Sequence, residues 1–225
     1  MLVTESLGYN MAAANTQLTP ADFTGLTTTA GFQMGSVAPA SKGGTSWDDM
    51  ISAAKNGEAI RFGVMSPKLA DLAYLLGDTQ DVEFNIIEVR GGKAVLDGVT
   101  AGDMDVGFMA GIQTKGVNAG DLVNLASAMS EPLVQTPDAP VIADLGVPFN
   151  ADGYFVFVAP KGLPDDAKTA ISIAISDIVN DPDSKAGTLI ATAFGGPDVI
   201  NGEGVEKLLQ DGYAAAGALM KAASE

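Results

Sequence analysis

Short apolar segments alternate along this chain with amphipathic segments of helical period. Strand-like apolar segments occupy residues 2–4, 60–64, 82–89, 122–126 and 154–158. Between them, residues 67–76 begin with a proline, and residues 164–179 carry apolar side chains at helical spacing, which favours helices. Strands that alternate with helices predict an α/β fold with mostly parallel sheets flanked by helices.

Composition excludes several classes of function. The 225 residues are 47% hydrophobic, enough to bury the core of one large or two small domains. A net charge of −16 argues against binding to nucleic acid or to an anionic membrane surface. The chain contains no His and no Cys, which excludes a Ser–His–Asp triad, His-ligated zinc and an iron–sulfur site. Carboxylates could still hold a hard metal ion, but Asp103 with Asp105, or Asp181 with Asp183, does not complete a calcium-loop pattern. We expect no cofactor and no metal.

The sequence shows no membrane insertion signal. No window approaches the run of about 18 apolar residues that a transmembrane helix needs, and residues 1–10 contain neither the basic nor the apolar region of a signal peptide. Residues 1–4 nevertheless read as a strand cut at its beginning, which suggests a missing upstream segment, a restart codon or an artificially shortened chain.

The segment EVRGGKAVLDGVTAGDMDVGF, residues 88–108, predicts a strand, a turn, a helix and a second strand. Its turn carries Arg90, one of two arginines in the chain, followed by Gly91 and Gly92. A guanidinium beside exposed backbone N–H groups at the start of a helix is suited to bind a carboxylate. The alternative interpretation is a solvated arginine in a surface connection.

In α/β sheets, ligands bind in loops at the carboxyl ends of the strands. This rule selects residues 4–8, 64–68, 89–93 and 108–113. Ser6 and Ser66 would supply hydroxyl groups there, although each could instead be a helix cap. The candidate ligand-binding residues are Ser6, Leu7, Gly8, Met65, Ser66, Arg90, Gly91, Gly92, Met109 and Ala110.

The order of these segments resembles the Bug/TctC family, the extracytoplasmic receptors of tripartite tricarboxylate transporters. The sequences LVTESLG (2–8), IRFGVMSPKL (60–69) and residues 89–108 are similar to family loops. TPDAPVIADLGVP (136–148) resembles the family signature PDVPTxxExG, with Val141 and Asp144 where Thr and Glu are usual. FVFVAPKGLP (155–164) and Asn180-Asp181-Pro182 resemble two further family motifs.

The resemblance implies a two-lobed periplasmic-binding-protein type II fold, in which each lobe is a mostly parallel sheet flanked by helices. Residues 1–42 and 151–225 would form the first domain, and residues 43–150 the second. The implied protein is a periplasmic receptor, not an enzyme, that traps a small organic acid or amino acid between its lobes. Its partners would be membrane transporter subunits. The family's first strand, its glycine-rich loop and the helix and strand after them have no counterpart here.

Two other functions remain open from the sequence. A degenerate or sensory domain could have kept this fold without a transport role. A metal-assisted α/β hydrolase could use the serines and carboxylates, but the chain lacks both a G-x-S-x-G nucleophile motif and a histidine base.

Overall fold

The computed structural model describes residues 2–12, 17–42 and 46–225. The chain divides into two compact units. Unit 1 comprises Met1–Phe32 and Gly153–Lys221, and unit 2 comprises Gln33–Asp152 and Ala222–Glu225. The α/β class predicted from the sequence is confirmed, since strands and helices alternate through both units.

The regular elements follow one another closely along the chain. They are β1 (Leu2–Val3), α1 (Thr4–Ala12), β2 (Phe23–Gly31), β3 (Met34–Pro39), α2 (Trp47–Lys55), β4 (Arg61–Val64), α3 (Pro67–Thr79), β5 (Asn85–Glu88), α4 (Gly91–Ala101), β6 (Val106–Ala110), α5 (Thr114–Ala119), β7 (Leu122–Ser127), β8 (Tyr154–Pro160), α6 (Asp165–Asn180), α7 (Lys185–Phe194) and α8 (Glu203–Ala222).

The described sheet of unit 1 has the strand order β1-β8-β2. Both pairings are antiparallel, which differs from the mostly parallel sheet predicted for each lobe. Phe155 of β8 contacts Phe32 and Phe194, with ring centroids 4.8 Å apart in each pair. These rings join the sheet to α7.

The sheet of unit 2 has the order β5-β4-β6-β3-β7. Strand β4 is parallel to β5 and β6, whereas β3 is antiparallel to β6 and β7. Four strands therefore run in one direction. The division at residue 33 lies ten residues before the predicted boundary at residue 43, because β3 pairs with two strands of unit 2.

Aromatic rings fill the core of unit 2 on one side of this sheet. Phe62 is fully buried, with its ring centroid 5.3 Å from Phe84 and 4.8 Å from Phe108. Trp47 is 2% exposed and meets Phe84 edge-on, so this tryptophan is packed into the core. Ser46 begins α2 by accepting a hydrogen bond from Asp49 N at 3.1 Å.

A close helix contact in unit 1 depends on Gly8. A Cβ atom on Gly8 would lie 2.6 Å from the carbonyl carbon of Gly212 in α8 and 2.9 Å from the nitrogen of Tyr213. The atoms that this Cβ would meet belong to the backbone of α8, which cannot move aside as a flexible side chain can. We therefore expect Gly8→Ala to reduce the free energy of unfolding by about 1–3 kcal/mol, as measured by urea unfolding followed by circular dichroism.

Gly217 provides the matched control for this prediction. It is exposed in α8, and a Cβ atom there would meet nothing within 4 Å. Gly217→Ala should be neutral or stabilise the protein by up to about 1 kcal/mol, because alanine favours the helix. Equal effects of the two substitutions would contradict the packing role of Gly8.

Candidate functional site

The carboxyl ends of three parallel strands lie at one edge of the unit 2 sheet. Strands β4, β5 and β6 end at Val64, Glu88 and Ala110, and helices α3, α4 and α5 begin soon after each of them. Loops at such an edge are the usual ligand-binding positions of α/β sheets. Three of the four loops selected from the sequence are here.

The first turn of α4 can donate hydrogen bonds to a ligand. Arg90 is the N-cap residue but forms no side-chain capping hydrogen bond. Gly91 adopts φ = 77°, a left-handed conformation that favours glycine. The unsatisfied N–H groups of a helix's first turn, together with the helix dipole, attract an anion. Residues 90–92 therefore form a turn that exposes backbone donors beside a guanidinium.

The two arginines of the chain have different environments. Arg61 binds Asp105 through two side-chain hydrogen bonds, each 2.9 Å long, and donates from Nη2 to the carbonyl of Gly102 at 2.8 Å. The hydrogen bond with Asp105 raises the pKa of the Arg61 guanidinium. Arg90 is exposed and has no hydrogen-bond or salt-bridge partner within residues 2–12, 17–42 and 46–225. Of the two arginines, Arg90 is the one whose guanidinium is unpaired among the described residues.

Ser66 is the N-cap of α3. It is 7% exposed, and its Oγ accepts a hydrogen bond from Leu69 N at 3.4 Å. Ser66 therefore caps a helix, which is the alternative that the sequence left open for this serine. Its contact with a ligand stays a prediction.

Side chains from two other loops meet at Gly92. A Cβ atom on Gly92 would lie 3.6 Å from Met65 Sδ and 3.7 Å from Ile112 Cγ2. Met65 is half-buried and Ile112 is 43% exposed. Ile112 was not among the predicted site residues, although it lies in the selected loop 108–113.

Strand β6 and the turn after it carry two further predicted site residues and one buried residue that was not predicted. The Met109 side chain is fully buried in a core cluster with Val37 and Val95, and its contact with a ligand stays a prediction. Ala110 is half-buried at the end of the strand. Gln113, missed by the sequence reasoning, is fully buried, accepting from Gly111 N at 2.7 Å and donating to the carbonyl of Gln33 at 2.9 Å. It fixes the loop that carries Ile112.

The predicted loop at residues 4–8 is wrong, because α1 begins at Thr4 directly after β1. Ser6, Leu7 and Gly8 therefore lie in a helix of unit 1, where Gly8 contacts α8. The Ser6 side chain lies outside what the structure describes. A ligand-binding role for these three residues remains untested.

Two further observations concern metals and membranes. Across the described ranges, no three acidic side chains come together in a group that could hold a metal ion. Within those same ranges, no helix combines the length and hydropathy needed to cross a membrane.

No protein-family model and no curated protein matches the chain. Solved structures do match. BugD, a periplasmic binding protein, has a TM-score of 0.82 at 16% identity, over 99% of this chain and 77% of its own. MatC from Rhodopseudomonas palustris, with bound malate, has a TM-score of 0.78 at 16% identity, over 96% and 76%. A TctC solute-binding protein from Polaromonas has a TM-score of 0.69 at 18% identity, over 98% of this chain and 76% of its own.

The chain has the fold of the periplasmic solute-binding proteins. The fold expected from the resemblance to TctC and Bug receptors is thereby confirmed. This chain spans about three quarters of the length of the three structures.

Proposed function

We propose that this protein is a periplasmic solute-binding receptor of the TctC/Bug type that captures a small organic carboxylate for a membrane transporter. The observation that carries this proposal is the turn at residues 90–92. There the Arg90 guanidinium, unpaired within the part of the chain that the structure describes, adjoins a helix start without a side-chain cap at the carboxyl edge of the unit 2 sheet. The shared fold with a malate-bound protein supports the same assignment.

The chemistry of the turn is suited to a carboxylate. A guanidinium can donate two parallel hydrogen bonds to the two oxygens of a carboxylate. Backbone N–H groups at the start of α4 add donors of fixed direction. Local groups must provide the attraction, since the net charge of −16 repels anions at long range.

Capture and release require no catalytic step. The chain has no histidine to act as a general base and no cysteine to act as a thiolate nucleophile. Solute-binding proteins of this fold, such as BugD, are the structural neighbours that support a binding role.

A thermal-shift screen tests the proposal directly. The panel should contain aliphatic and aromatic monocarboxylates, di- and tricarboxylates, and amino acids. A ligand at 100 times its dissociation constant stabilises the native state by about 2.7 kcal/mol, which raises the melting temperature by several degrees. A folded protein whose melting temperature responds to none of these acids would overturn the proposal.

A further inference from the structure

We propose that unit 2 contains a second ligand site, which binds a small neutral polyol of about monosaccharide size. The site is a cavity of about 480 Å³ bounded by the start of α2, strand β7 and the loop at residues 135–140, and we call it the α2–β7 cavity. Ligand-binding clefts usually measure about 300–1,000 Å³. The proposal goes beyond the receptor function, because none of the described residues that line this cavity belongs to the turn at residues 90–92.

Buried polar atoms without a partner are concentrated in the residues that line the α2–β7 cavity. Among the residues that the structure describes, four buried side-chain atoms form no hydrogen bond. Three of them belong to the lining of this cavity: Trp47 Nε1, Asn124 Oδ1 and Gln135 Oε1. Trp47 is 2% exposed and Asn124 is 4% exposed. Since leaving a buried polar atom without a hydrogen bond is unfavourable, native proteins rarely gather several such atoms at one place.

The two amide side chains are held in place by threonine hydroxyls. Asn124 donates from Nδ2 to Thr136 Oγ1 at 3.1 Å, and Gln135 donates from Nε2 to Thr114 Oγ1 at 3.1 Å. Each amide therefore uses its nitrogen within the protein and keeps its oxygen as an acceptor. The indole of Trp47 can only donate. The lining thus offers one donor and two acceptors to a ligand.

Hydroxyl groups are suited to this combination of one donor and two acceptors. A hydroxyl group can accept from an indole N–H and donate to an amide oxygen, whereas an ammonium group only donates and a carboxylate only accepts. A molecule that carries several hydroxyl groups on one small frame can therefore bond all three atoms. Pro137 and Pro140, which also line the cavity, provide apolar surface for its C–H groups.

The charges at the α2–β7 cavity disfavour an acid. Asp48 and Asp138 line the cavity and are exposed, and none of its described lining residues is a lysine or an arginine. The start of α2 does not offset these charges, because Ser46 and Asp49 each accept a hydrogen bond from the other's backbone N–H. Carboxylates do accept hydrogen bonds from hydroxyl groups. A neutral polyol is therefore favoured over a carboxylate at this site.

Nuclear magnetic resonance tests this proposal with a probe that belongs to the site. Trp47 is the single tryptophan of the chain, so an isotope-labelled sample gives one indole N–H resonance, which comes from the unpartnered donor itself. At least one of D-glucose, D-ribose and myo-inositol should shift this resonance saturably, with a dissociation constant of about 1 mM or tighter. Succinate and putrescine at the same concentrations should leave the resonance in place.

A variant of Gln135 tests the contribution of one acceptor. Gln135→Ala should weaken binding of the best polyol by about five- to tenfold, the loss expected for one hydrogen bond. Gln135 is half-buried in the loop, and cooperative thermal unfolding of the variant would show that it is folded. The matched control is Gln210→Ala, which removes an exposed glutamine from α8 of unit 1 and should leave the affinity unchanged.

Three results would overturn the proposal. If none of the three polyols moves the indole resonance, ordered water alone satisfies the buried atoms. If succinate or putrescine shifts the resonance at lower concentration than the polyols, the cavity binds an ion. The third result is equal affinity of Gln135→Ala and Gln210→Ala for the best polyol. None of these results bears on the thermal-shift screen with acids, so the receptor function is tested separately.

Discussion

Replacing Arg90 with alanine should weaken binding of an anionic ligand by about 10- to 100-fold, the range expected for loss of a charge-assisted hydrogen-bond pair. Thermal stability should stay unchanged, because the exposed guanidinium has no hydrogen-bond or salt-bridge partner in the described part of the chain. Calorimetry with the acid that gives the largest thermal shift measures the first effect, and scanning calorimetry without ligand measures the second.

Two further variants sharpen this prediction. Lys93→Ala removes a positive charge three residues away, but Lys93 is 77% exposed and paired with Asp97, so affinity should change by less than about twofold. Arg90→Lys keeps the charge but loses the planar fork, and we expect intermediate affinity. Equal affinities in the parent protein and Arg90→Ala would remove Arg90 from the site.

Replacing Phe62 with alanine should destabilise unit 2 by about 3–5 kcal/mol, because truncation of a buried phenylalanine leaves a cavity. Phe62 has no exposed surface and packs between Phe84 and Phe108. Trp47, the single tryptophan of the chain, contacts Phe84. Its fluorescence during urea unfolding therefore reports on this core.

The matched control is Tyr74→Ala. Tyr74 is an aromatic residue of α3 that is 46% exposed, so its loss should cost less than about 1 kcal/mol. Phe62→Leu, which retains most of the volume, should lie between the two alanine variants. A loss of unfolding free energy for Phe62→Ala no larger than that for Tyr74→Ala would contradict the packing of Phe62 in the core.

Local signals in the sequence predicted much of the fold. The proline at residue 67 predicted the first turn of α3, because proline geometry depends only on neighbouring residues. The position of Arg90 at the start of a helix followed from the same kind of local pattern. The prediction of a loop at residues 4–8 was wrong, because the helix begins directly after a two-residue strand and no loop separates the two elements.

The sequence by itself determined the strand–helix alternation, the exclusion of histidine and cysteine chemistry, and the helix start that carries Arg90. Tertiary structure decided which arginine is unpaired among the described residues, since Arg61 is bound by Asp105, a partner 44 residues away. It also decided that β3 belongs to unit 2, that Met109 is buried and that Ile112 is exposed beside Gly92. These outcomes depend on contacts between residues far apart in the chain, and a local sequence pattern does not specify such contacts.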